Sequence, residues 1–93
     1  MAQKYQVKRL AADGQLNGTD EVWIKGIQLV AGADAATLEI TEDADGSGTN
    51  VLVVKCPAND SKWVDLSGVG GLSLSQGYGD LSGTSPEAYI FWE

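Results

Sequence analysis

Apolar residues recur at every second position in short runs cut by Gly, Asp, Asn and Pro, the pattern of strands rather than helices. Three such runs follow one another across residues 21–56. EVWIKGIQLVA stops at Gly32-Ala33-Asp34, and ATLEIT stops at the loop Glu42-Asp43-Ala44-Asp45-Gly46-Ser47-Gly48. TNVLVVKC stops at Pro57, which cannot donate to a ladder. The three runs predict a β-meander. In the first, Val22, Ile24 and Gly26 share one parity and Ile27, Leu29 and Ala31 the other, so a bulge or sharp bend is expected at Gly26. Leu38 and Ile40 face one way, with Thr37, Glu39 and Thr41 outward. Val51, Leu52, Val53 and Val54 are apolar on both faces, which predicts a central strand or one lying at an interface.

The remainder follows the same rule. Residues 4–11 alternate Tyr5, Val7 and Arg9 against Gln6, Lys8 and Leu10, as an edge strand would, and Asp13-Gly14 and Asn17-Gly18 then mark a loop. After Asn59-Asp60, Val64 and Leu66 oppose Trp63 and Asp65. Residues 68–71 read as a flexible Gly-rich connection, and Leu72 and Leu74 face inward with serines outward. Residues 77–86 hold a weak segment at best. Ala88-Tyr89-Ile90-Phe91-Trp92 is apolar on both faces, so it must lie centrally in a sheet or be covered by a partner. No helical period extends over 11 residues, and only residues 34–37 and 11–15 could hold a single turn. Seven to eight short strands predict an all-β fold, a single small antiparallel β-sandwich or barrel. Its connectivity (jelly roll, Greek key or meander) is not fixed by periodicity.

Composition narrows the functional classes. Ninety-three residues make one domain, residues 1–93, with 43% apolar content in the globular range. A net charge of −7, with the basic residues Lys4, Lys8, Arg9, Lys25, Lys55 and Lys62 scattered, disfavours nucleic acid and anionic membrane surfaces as partners. The start carries no apolar stretch of a secretory signal, and no run approaches the ~20 residues of a membrane helix. The expectation is a chain made in the cytoplasm that stays soluble. Cys56 is the single cysteine, expected to be a small buried core residue without disulfide or metal role.

The chain contains no histidine, the commonest general base and a frequent metal ligand. Its acids concentrate in turns, where water keeps carboxylates ordinary, so no catalytic residues, cofactor or metal site are expected and the chain reads as no enzyme. Asp43 and Asp45 open like a calcium loop, but no Glu closes it at the twelfth position, and Asp and Gly are also what a hairpin connection needs; the turn reading outweighs the cation site. Trp23, Trp63 and Trp92, with Tyr78 and Tyr89, raise a sugar-stacking face. Trp23 and Trp63 have parity opposite to the aliphatics beside them, so both indoles are expected outward, more readily at a subunit interface than as a glycan platform.

The layout WIKGIQLVAG-ADAATLEITEDADGSGTNVLVVKCPA, then KWVDLSGVGGLSLSQGYGDLSG and a closing AYIFWE, resembles small β-sandwich virion proteins of tailed bacteriophages. The resemblance covers residues 22–92 and is one of layout. It implies a structural assembly protein, a capsid decoration (cement) protein or a head- or tail-fibre module located in the virion. The implied partners are further copies of itself, as a homotrimer, and a major capsid or other virion protein. No catalytic or cofactor residue comes with it. The alternative from another class is a carbohydrate-binding or fibre adhesion module using Trp23 or Trp63.

Overall fold

The computed structural model describes residues 6–43 and 45–93; Lys4 and Tyr5 of the first run, and Ala44 of the acidic loop, lie outside them. Among the described residues the chain is all-β, with nine strands in two antiparallel sheets. These are β1 (Gln6–Leu10), β2 (Gly14–Gln15), β3 (Val22–Val30), β4 (Ala36–Thr41), β5 (Asn50–Cys56), β6 (Ser61–Asp65), β7 (Leu72–Leu74), β8 (Tyr78–Ser82) and β9 (Glu87–Trp92). One sheet runs β1-β9-β3-β6, with the short β7 on the same edge of β3 as β6. The other runs β2-β8-β4-β5.

With β7 set aside, every strand pairs with its mirror in the sequence: β1 with β9, β2 with β8, β3 with β6, and β4 with β5. The chain is one long antiparallel hairpin whose tip is the β4–β5 connection. Rolling that hairpin adds the β3–β9 and β4–β8 pairings and gives the strand order of a jelly roll. The expected meander over residues 21–56 is therefore corrected. β4 and β5 form a hairpin, but β3 lies in the opposite sheet, because the small residues 31–35 carry the chain across the sandwich. The apolar faces of β3, β4 and β9 meet in the middle, where Ile24, Ile27, Leu29, Leu38, Ile40 and Ile90 are fully buried. Cys56 joins this core.

Gly26 behaves as its parity demands. The β3–β9 register shifts between Ile24 and Gly26, so the inward set passes from Val22 and Ile24 to Ile27 and Leu29. β9 lies between β1 and β3, which covers the double-sided run near the end of the chain. The N-terminal strand pairs with β9 of its own sandwich.

Other expectations are revised. Of the two alternatives for the apolar run at residues 51–54, a central strand or one at an interface, the first is excluded, because β5 is an edge strand. The segment read as weak contains β8, an interior strand between β2 and β4; Gly79 within it and Gly77 just before it carry no side chain because Leu10, Leu16 and Val22 fill that space. Thr41 is buried, since a register shift after Ile40 turns it inward and its hydroxyl donates to Asp43 Oδ1 at 2.8 Å. The connection at residues 68–71 forms a 3-10 turn over Ser67–Val69, followed by Gly70 and Gly71 at φ of +88° and +87°; the stretches 11–15 and 34–37, which could have held a single helical turn, run into the starts of β2 and β4.

Candidate functional site

Val69 of the 3-10 turn apart, two surfaces carry the large apolar side chains that the fold leaves exposed among the described residues. The first is the outer face of the β1-β9-β3-β6 sheet. Cross-strand register places Val7, Phe91, Gly26 and Asp65 in one row, with Arg9, Tyr89, Gln28 and Trp63 in the next. The Trp63 side chain leans from its own row over Gly26, where an added Cβ would meet Cη2 at 2.7 Å and Cζ2 at 2.9 Å. Its ring then meets Phe91 edge to face, with centroids 5.3 Å apart and planes at 72°. Trp63 remains 55% exposed and Trp23 43%. Both indoles face outward, as their parity predicts.

The two tryptophans differ in how they are held. Trp23 Nε1–H donates to the Gly70 carbonyl at 2.7 Å, and the Lys25 ammonium sits 3.5 Å from its ring centroid. Lys25 also reaches Glu93 at 3.3 Å. Plain alternation ahead of the bulge puts Lys25, two residues on, on the same outer face as Trp23. Trp23 is thus capped by a cation on one face and anchored at its polar edge. Trp63 has a backbone floor and an aromatic flank, and its remaining surface is open.

Beside Trp63 the sheet forms a small cleft of about 170 Å³ lined by Lys25, Gly26, Trp63, Asp65, Ser67 and Phe91. Asp65 Oδ1 accepts the Ser67 hydroxyl at 2.6 Å and the Ser67 N–H at 2.9 Å, and these two bonds, the hydroxyl first, hold the carboxyl below its usual range. Lys25, Asp65 and Phe91 were not legible as a set, because only the bulge and the β3–β6–β9 register bring them beside Trp63. Trp92 points the other way and packs half-buried on the core, while Tyr89 donates to Glu87 at 2.8 Å and Glu87 accepts Arg9 at 3.1 Å. Tyr78 lies in the opposite sheet, its ring against Gly46 of the acidic loop.

The second surface is the open side of the sandwich. β5 and β6 are the free edges of their sheets on the same side, and between them runs a groove of about 540 Å³ floored by Leu52, Val54 and Val64 and flanked by Lys55 and Lys62. Val51 and Val53, on the outer face of β5, are 45% and 43% exposed. The opposite side is closed, because Leu10 and Leu16 of the β1–β2 region are buried there.

The carboxylates of the acidic loop are turned onto the loop itself. Asp43 accepts the Thr41 hydroxyl and the N–H groups of Gly46 and Gly48, and Asp45 accepts the N–H and hydroxyl of Ser47. Partial burial of Asp43 pushes its carboxyl up, but those donors outweigh it and hold the group low; the Ser47 hydroxyl leads the same effect at Asp45. These are the bonds of a hairpin connection. Acids also meet on the outer face of the second sheet, where Asp80 stands opposite Glu39 and Asp13 accepts the Leu81 N–H at 2.8 Å. Among the described residues no group of three or more His, Cys, Asp or Glu side chains is arranged to hold a metal ion, and no helix is long and apolar enough to cross a membrane. Comparison of the chain with protein-family models, with curated proteins and with solved structures finds no match.

Proposed function

We propose that this chain is a structural, non-enzymatic assembly protein that works by packing its open edge against further copies of itself, and that its setting is a bacteriophage virion, as a capsid decoration (cement) protein. The observation that carries the assembly reading is β5. An edge strand exposes unpaired backbone groups, and soluble domains blunt such edges with charge, proline or cover. β5 has one lysine at its end and valines on the outer face, over a groove already apolar at its floor. Pairing two copies of β5 antiparallel about Val53 sets Val53 against Val53 and Val51 against the Lys55 stem, with no like charges opposed. The trimer implied by the layout resemblance instead brings β5 onto a different surface of its neighbour, since a three-fold ring is head-to-tail. The virion setting rests on that resemblance and on the jelly-roll order, an architecture used by capsid domains among others.

The test is the mass in solution by light scattering over a concentration series, for the natural chain and for Val53→Lys. The expected result is a discrete oligomer that Val53→Lys returns to monomer with an unchanged far-UV spectrum. A natural chain that stays monomeric at every concentration overturns the assembly reading. An oligomer that fails to cosediment with phage shells leaves self-assembly standing and removes the decoration role.

A further inference from the structure

The cleft beside Trp63 has the ingredients of a ligand site rather than of a packing defect. The Trp63 indole is more than half exposed and lies beside a second aromatic ring, so its open face is available to a ligand. Gly26 gives its six-membered ring a backbone floor, Phe91 flanks it, and Lys25 forms part of the cleft wall with its ammonium held by Trp23 and Glu93.

The polar groups define the ligand by exclusion. Lys25 opposes a cation, even though aromatic pairs with a nearby carboxylate otherwise attract quaternary ammonium groups. Asp65 opposes an anion, and the net charge of −7 adds to that repulsion. A purely apolar ligand would strip water from both charges without replacing their hydrogen bonds. What remains is a neutral ring with one apolar face and several hydroxyls. It would lay that face on the indole and donate hydroxyls to Asp65 and to the Ser67 hydroxyl oxygen, whose own proton is given to Asp65. Among the described residues Asp65 Oδ2 accepts no hydrogen bond, so the carboxylate has acceptor capacity to offer. The volume, about 170 Å³, lies below that of drug-sized pockets and suits one ring.

We propose that the outer face of the β1-β9-β3-β6 sheet carries a binding site for a neutral pyranose sugar, with Trp63 as the stacking platform and Asp65 and Ser67 as its hydrogen-bonding rim. This site is separate from the β5 edge, and it requires neither self-assembly nor a virion setting. A shallow, single-ring site binds weakly on its own, and copies displayed together on an oligomer would gain by multivalency.

The experiment is a two-dimensional amide NMR titration of the full chain with neutral monosaccharides and their short β- and α-linked oligomers, alongside one sialylated oligosaccharide. Saturable shifts at residues 25–26, 63–67 and 91 with at least one neutral sugar are expected, with the sialylated compound binding only through its neutral units. Trp63→Ala should weaken binding roughly tenfold or more, the scale on which truncating an aromatic anchor is felt. Asp65→Asn should weaken it less. Val53→Lys should not change it, which separates this site from the assembly edge. No saturable shifts with any neutral sugar, or shifts that persist unchanged in a folded Trp63→Ala chain, overturn the proposal. Should Trp63→Ala not fold, Trp63→Phe and Asp65→Asn carry the same decision.

Discussion

A methyl group added at Gly26 meets the rim of the Trp63 indole, whereas one added at Gly32 runs into the carbonyl oxygen of Thr84. The first obstacle is the end of an exposed side chain and can swing away; the second is backbone and cannot. Gly26→Ala is therefore expected to cost about 1 kcal/mol and to change the tryptophan emission, while Gly32→Ala costs about 3 kcal/mol, both read from urea midpoints. A second residue-scale expectation concerns Asp80. The charge on Asp13 first, then partial burial and the charge on Glu39, raise its carboxyl above the usual range. A carboxyl raised in the folded state binds more protons there than when unfolded, so its effect on stability is favourable below its folded pKa and is lost as pH rises through it. Asp80→Asn should then stabilise the domain by about 0.5 kcal/mol at pH 7, with the advantage vanishing under acid conditions in parallel melts. Asp43, Asp45, Asp65 and Glu87 have the opposite sign: their carboxyls are held low by hydrogen bonds, and their contribution is lost as pH falls below the ordinary carboxylate range.

At the scale of elements, legibility followed the side chains. β3, β4 and β9 announce themselves by alternating aliphatics, and the bulge in β3 is written in a parity switch at a glycine. β8 is silent because its inward positions are only Gly79 and Leu81, with Gly77 just before them, and an empty position has no hydropathy even when the space above it is full. β5 misleads for the converse reason: valine on both faces describes what a strand can pack against, not how many neighbours it has. The aromatic platform was half legible. Parity turned Trp23 and Trp63 outward, but Phe91, Lys25 and Asp65 join Trp63 only through pairings between distant strands. Neighbour number has its own measurable outcome. β9 and β8 are bonded on both sides, β5 and β6 on one. Hydrogen exchange should therefore be slowest in β9, at Ile90, and markedly faster at Val53 and Trp63 in the unassembled chain.

For the whole molecule, charge and edge work against each other. Copies carrying −7 repel at a distance, and that repulsion is screened within about 10 Å at 0.1 M salt. Self-association through β5, driven by valine burial, should therefore tighten as salt rises, and sedimentation velocity at low and high ionic strength should show the oligomer growing at the expense of monomer. The rolled hairpin has a further consequence, in time rather than in space. Of its four mirror pairings only β4 with β5 joins neighbours in sequence, and each later pairing must close a longer loop than the one before. Folding has a natural starting point at the 42–49 connection and a natural direction outward from it, ending with β1 against β9. Weakening that starting turn by Asp43→Ala should slow refolding and leave the unfolding rate nearly unchanged in stopped-flow measurements, whereas loosening β1 should speed unfolding alone.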